Sequence, residues 1–384
     1  MKVDAIIVGS GIIGMALAIS LSKKGKKVVI IEKNLSNTLQ SNRVYSITRK
    51  TRLFFESIDI WKDIDDINNI VNINLYYRDF KENNILNFSE EYKTENIGYI
   101  AQSTKIILPL LNQIKKSDNI VLYDNCIIST LDNSIEKVIV ITDNKKNIEA
   151  RYIFSCEGSS SEIKKKLKIE NFYDDYNSKA LVFNIEHENK NNNTAYQVFL
   201  ESGPIAFLPI SSNLFSMVVS IKNKFFEKEY FKEANICNFI KKITDNKFGD
   251  LKMTSKIISF KLIGCDLSQY KQKSVIFVGD SAHSVHPIAG MGLNLGISDI
   301  IEIIREINND KKNFYNVNFF VNYARNQKII NKKARQQLKL IEKIFSIENK
   351  LANEVIKIAM HRLQRSDFLK NRIIKHANNN LNFF

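Results

Sequence analysis

The chain has 384 residues, 44% of them hydrophobic, and its 56 Lys and Arg outnumber 41 Asp and Glu for a net charge of +15. That size allows a large buried core in one or two domains, and no apolar run approaches the roughly 18 residues that span a bilayer. The basic residues are scattered among asparagines and build no nucleic-acid module, so nucleic acid is excluded as a partner; attraction to acidic lipid headgroups, or compositional drift, remains.

The opening "VDAIIVGSGIIGMALAISLSKKGKKVVIIEKN" reads as strand, glycine turn, helix, strand. Asp4 inside the first apolar run argues against a secretory signal. Val3 to Val8 has the continuous apolar character of a parallel strand covered on both faces. Gly9, Gly11 and Gly14 form G-x-G-x-x-G: the first permits a tight turn, the second lets the backbone approach a pyrophosphate, and the third lets the helix lie close to the sheet. Ile12 and Ile13 sit inside the same turn. Glu32 ends the second strand, where an acid grips a ribose diol and disfavours a 2′-phosphate; Lys33 follows it. FAD and NAD fit this half-site equally well.

Further along, "NINLYYRDF", "AYQVFL" and "FSMVVSI" alternate apolar and polar residues as strands of a mixed sheet do. The four cysteines (Cys126, Cys156, Cys237 and Cys265) lie far apart, as reduced thiols of a cytoplasmic protein would. "SVIFVGD" is another strand, ending at Asp280, whose carboxylate would meet a sugar or ribityl hydroxyl in the crevice. In "HPIAGMGLNLG", Pro287 rigidifies a loop that enters a helix near Gly292 to Asn294. Gly290 and Gly292 free the N–H groups of that helix end, whose positive dipole suits the pyrimidine edge of a reduced flavin. His283 and His286 have no companion ligands, so they read as packing or polar contacts and no metal is expected. From Phe319 onward the pattern is helical and amphipathic, fit for packing or for a membrane or protein partner.

Together these stretches resemble the FAD-dependent aromatic hydroxylases of the p-hydroxybenzoate hydroxylase fold, and among them the ubiquinone-biosynthesis hydroxylases. "GSGIIG…E" is the first marker. Arg43 in "NRVYSIT" matches an arginine near the flavin, and Gln102 in "IGYIAQSTKIILPLL" falls near a cofactor-contacting position. The usual A-D-G-x-x-S-x-x-R reads "CEGSSSEIKK" here, with Glu157, Gly158, Ser161 and Lys164; lysine lacks the planar fork of arginine, so the electron donor, NAD(P)H or another reductant, stays open. "GPIAFLP" (Gly203 to Pro209) resembles the substrate-domain core. "GDSAHSVHPIAGMGLNLGISD" matches the last motif, with Met291 for the usual glutamine and Leu293 and Asn294 following Gly292.

The resemblance implies an α/β fold: a discontinuous Rossmann-like FAD-binding domain (1–70, 98–178, 265–315), an inserted mixed β-sheet substrate domain (71–97, 179–264) and C-terminal helices (316–384). It implies that reduced FAD takes up O2 at C4a and that the hydroperoxide hydroxylates a phenolic ring, with no protein acid, base or nucleophile assigned. Tyr196, Phe199, Phe207 and Pro209 are the expected pocket walls. Three activities follow: hydroxylation of a polyprenylated phenol by a cytoplasmic protein at the inner face of the membrane, alone or within a ubiquinone-biosynthesis complex; hydroxylation of a soluble aromatic; or flavin binding in an assembly subunit without monooxygenase activity.

Overall fold

In the computed structural model of the protein, residues 1–81, 85–89, 96–189, 193–284, 290–310, 313–347 and 349–379 are described. The first apolar run forms the strand Lys2–Val8 at the centre of a parallel sheet. Val28–Ile31 and then Ile120–Tyr123 extend the sheet on one side, and Asn147–Ser155 and then Val275–Phe277 extend it on the other. Alternate residues feed two cores. Ile7, Val28 and Ile30 pack with the helices Ile12–Ser22, Ser103–Lys115 and Met291–Asn309. Ile6, Val29 and Ile31 pack with the antiparallel strands Ile128–Asn133 and Val138–Thr142. Cover on both faces is why Ala5–Val8, Val28–Ile31 and Val275–Phe277 are apolar at every position.

A second sheet has nine strands in the order His283–Ser284, Ile258–Leu267, Asn171–His187, Leu214–Lys222, Gly203–Ser211, Thr194–Leu200, Asn72–Tyr77 and Ile85–Ser89, with Leu251–Met253 beside Asn171–His187. It is mixed, because Thr194–Leu200 runs parallel to Asn72–Tyr77. One face packs Phe183, Phe207, Phe215 and Met217 against Ile236 and Ile240 of the helix Glu233–Ile243. The borders drawn at 178/179 and 264/265 fall inside the continuous strands Asn171–His187 and Ile258–Leu267. A bulge between Asp175 and Lys179 lies close to the first border and bends the strand there.

Three short strands, Val44–Ile47, Gly98–Gln102 and Asn68–Ile70, form a third sheet that touches Gly203–Ser211. The tail is helical: Val321–Phe345, Lys350–Gln364 and Asp367–Asn379. Val321–Phe345 buries Tyr323, Gln327, Asn331, Ala334 and Leu338, a stripe at spacings of three and four that turns toward the parallel sheet. No helix among the described residues is long and apolar enough to cross a membrane.

Candidate functional site

Three distant segments meet at the C-terminal ends of the parallel strands. Gly9 has φ +101°, and a Cβ there would lie 2.6 Å from the Cys156 carbonyl oxygen; a Cβ at Gly14 would lie 1.9 Å from the Gly9 oxygen. Glycine at these positions is what allows strand, helix and the 156–158 loop to touch. Gly11 differs: its backbone is extended, at φ −67° and ψ 177°, and a Cβ there would meet nothing within 4 Å. Gly11 also starts the helix Ile12–Ser22 without a side-chain cap, leaving a positive helix end facing open space. Ile12 is buried, while Ile13 reaches the last motif, so close that a Cβ at Gly296 would stand 2.7 Å from its Cδ1.

Glu32 is buried at the end of its strand. Its Oε2 accepts from Ser10 N (2.7 Å) and Ser10 Oγ (2.9 Å), and its Oε1 accepts from Asn34 N (2.8 Å). A carboxylate offers about four lone-pair sites, so Oε1 keeps one for a ligand. Lys33 points outward, exposed, and its charge acts on Glu162.

In the 156–164 segment the longer arm of glutamate turns inward. Glu157 Oε2 accepts from Ser155 Oγ, Ser161 Oγ and Ile163 N, and Oε1 accepts from Glu162 N, capping the short helix Glu162–Lys166. Lys164 is buried and donates to the Ser159 carbonyl at 3.0 Å. Gly158 has φ +75° beside open space.

The last motif closes the site. Asp280 lies in the turn Gly279–Ser281. Solvent reaches its carboxylate, but the protein surrounds it: burial raises its pKa above the ordinary carboxylate range, against the opposing pull of His283 and Arg43. Arg43 immediately precedes the strand Val44–Ile47, whose Val44 pairs with Gln102, and its guanidinium bonds the Tyr45 hydroxyl, whose pKa burial raises. Gly290 has φ +59° and starts the helix Met291–Asn309 without a side-chain cap, one residue ahead of the expected start. A Cβ at Gly292 would sit 3.7 Å from Asp280 Oδ1. Met291 is half-buried and Leu293 enters the core.

Asn294 is used within the chain. Its Nδ2 donates to Ser46 O and Gly290 O, and its Oδ1 accepts from Thr48 N, Thr48 Oγ1 and Thr51 Oγ1. Its side chain therefore ties the arginine-bearing strand to the second helix end. Pro287 and His286 lie outside the described residues.

Asp299, the closing acid of the last motif, to which the sequence assigned no role, is the hub behind this site. Fully buried, it accepts from Gly279 N (2.8 Å), Gln327 Nε2 (2.9 Å) and Asn331 Nδ2 (3.4 Å), and it pairs with His283 Nε2 (2.7 Å). The available signals were its place at the end of that motif and its position in the apolar run "GISDII", where an unpaired charge is costly.

The expected pocket aromatics are taken up by packing. Phe207 is fully buried and rings Phe80, Phe215 and Phe248; Tyr196 joins the same cluster, on the face covered by the helix Glu233–Ile243. Phe199 lies on the other face and stacks on Phe345 at 4.0 Å. Pro209 is buried, and its carbonyl accepts from Asn68 Nδ2. Strand alternation puts Ala206, Leu208 and Val218, all half-buried, on the face opposite Phe207. Phe207→Ala is expected to cost about 3–5 kcal/mol of stability, read by denaturant unfolding, while the folded fraction keeps its flavin.

The profile of the FAD binding domain family matches residues 2–309. The mitochondrial ubiquinone biosynthesis monooxygenase of Dictyostelium discoideum is 24% identical over 97% of this chain and 90% of its own length. The ubiquinone hydroxylase UbiM of Neisseria meningitidis is 24% identical over 77% of this chain and 66% of its own. Among solved structures, the p-nitrophenol 4-monooxygenase of Pseudomonas putida superposes with a TM-score of 0.81 at 12% identity, covering 97% of each chain.

Proposed function

The chain belongs to the FAD binding domain family, and on that premise we propose that it is an FAD-dependent monooxygenase that hydroxylates the ring of a polyprenylated phenol in ubiquinone biosynthesis. The observation that carries this reading is the convergence of two helices that start without side-chain caps, at Gly11 and Gly290, Ile13 of the first packing at Gly296 of the second, with the Asp280 carboxylate beside the second start. The open space at Gly11 and the free site on Glu32 fit the adenosine and diphosphate half of FAD. Asp280, Arg43, Gln102 and the 290–294 helix start fit the other half. Names of relatives supply the pathway.

Bound there, FAD supplies the activation of O2 for insertion of one oxygen atom into an aromatic ring. The chain's own residues do the rest. The helix ends at Ile12–Gly14 and Met291–Asn294 hold negative charge through backbone N–H groups. Asp280 would hold the cofactor's polyol by accepting a hydrogen bond. The Ala206, Leu208 and Val218 face, not the Phe207 face, is the surface we assign to the ring, where an apolar wall excludes water and fixes the angle of approach. Reducing equivalents come from NAD(P)H or another reductant. With Glu157 and Lys164 turned into the protein, that segment presents no planar fork for a nucleotide phosphate.

Mass spectrometry of lipid extracts from a strain lacking the protein tests the assignment. An under-hydroxylated prenylphenol should accumulate. Normal quinone levels would remove the pathway; oxidation of NAD(P)H by the purified protein, stimulated by a soluble phenol, would then point to a soluble aromatic substrate.

A further inference from the structure

A surface helix ordinarily has one apolar face, turned to the core. The helix Lys350–Gln364 has two. Its inner face, Ile356 and Met360, packs with Tyr77, Leu86 and Phe88 of the mixed sheet. Gln364 Oε1 accepts from Asn87 N at 2.7 Å, so the helix covers the sheet's edge strand Ile85–Ser89. On its outer face, Leu351, Val355 and Ile358 follow one another at helical spacing while 79%, 64% and 55% exposed. Phe368, at the start of the next helix, is 73% exposed.

The charge around this apolar row is one-sided. Residues 350–375 contain seven Lys or Arg against two acids, Glu354 and Asp367. Arg362 continues the row by one turn. Ile358 and Arg362 also line an open recess of about 620 Å³ with Asp79, Lys81, Lys357, His361 and Arg365. One acid faces four Lys or Arg and a histidine there, so the recess suits an anion, and Ile358 joins it to the apolar row.

We propose that this outer face docks on an anionic lipid bilayer. Leu351, Val355 and Ile358 enter the headgroup–acyl boundary, and Arg362 and Arg365 take lipid phosphates at the recess. An apolar row bordered by long basic side chains on an in-plane helix is the chemistry that such an interface selects. The inference deepens the proposed function, because a polyprenylated phenol resides in a bilayer, but its evidence comes from this helix and the recess beside it.

The test is flotation of the full-length, FAD-loaded protein with vesicles of phosphatidylcholine, alone or mixed with phosphatidylglycerol. The protein should bind the mixed vesicles, less so at high salt. The combined Leu351→Ser, Val355→Ser and Ile358→Ser variant should bind roughly tenfold more weakly or worse, and Arg362→Glu with Arg365→Glu should abolish the preference for phosphatidylglycerol. All five side chains are exposed, so flavin content should not change. Failure of the unsubstituted protein to bind, or equal binding by the triple variant, overturns the proposal. A dimer that the triple variant converts to monomer, with no vesicle binding, would assign the face to a second copy instead. Vesicle binding without any ring hydroxylation would leave the docking surface standing and remove the proposed substrate.

Discussion

Asp299→Ala is expected to purify colourless and to lose about 3–5 kcal/mol of stability, much of the 5–15 kcal/mol or so that a folded domain has. The carboxylate is fully buried, and four groups converge on it from three places: the Gly279 turn, His283, and Gln327 and Asn331 of the helix Val321–Phe345. Removing it orphans a backbone N–H and leaves three polar side chains without their acceptor. The Gly279 turn carries Asp280, so the turn proposed to hold the cofactor loosens together with the tail helix. Urea unfolding and the flavin-to-protein absorbance ratio check both effects.

Asp299→Asn sharpens the test through pH. Burial alone would lower the His283 pKa, but Asp299, with help from Asp280 and Asp266, raises it above the free value, while Tyr270 stacks on the ring. A raised folded pKa stabilises the protein fully below the unfolded value of about 6.5, and that stability is lost as pH rises through the folded value. The native protein should therefore lose stability through this pair as pH rises above about 6.5, and Asp299→Asn should flatten that slope.

Gly14→Ala is expected to yield no soluble flavoprotein. Its Cβ would stand 1.9 Å from the Gly9 carbonyl oxygen, and backbone on both sides leaves neither partner free to move. The cost is about 3 kcal/mol or more, and it falls on the contact that seats the first helix against the first strand. Soluble expression and far-ultraviolet dichroism report the outcome.

The first strand–turn–helix–strand unit was legible because its signals are local. Continuous apolar strands, three glycines at fixed offsets and a terminal acid each have one physical reading, and the parallel strands and the helix start at Gly11 follow that pattern. The roles of individual side chains were less legible, because they depend on which group happens to be within reach. Asn294 reads as a helix-start residue near the cofactor, yet its amide is saturated by Ser46, Thr48 and Thr51, some 250 positions away. Glu157 reads as a conservative exchange, yet its extra methylene lets it cap its own helix. The substrate wall was hardest to read. Aromatic residues in an alternating strand mark the apolar face but not which face meets the cofactor, and Phe207 and Tyr196 turn toward the helix Glu233–Ile243. The charged, apolar tail likewise showed its amphipathic period but not that Lys350–Gln364 would expose a second apolar side.

Titrating FAD into the flavin-free form of Gly11→Ala separates cofactor recognition from folding. The added methyl touches no protein atom within 4 Å and suits the extended backbone of Gly11, so the thermal midpoint without cofactor should match that of the unsubstituted chain. The same methyl occupies the space assigned to the diphosphate, so FAD should bind at least roughly tenfold more weakly, a loss of about 1.4 kcal/mol. Unchanged FAD affinity in a normally folded Gly11→Ala protein would mean that the diphosphate lies elsewhere, and that the two helix starts do not hold one cofactor between them.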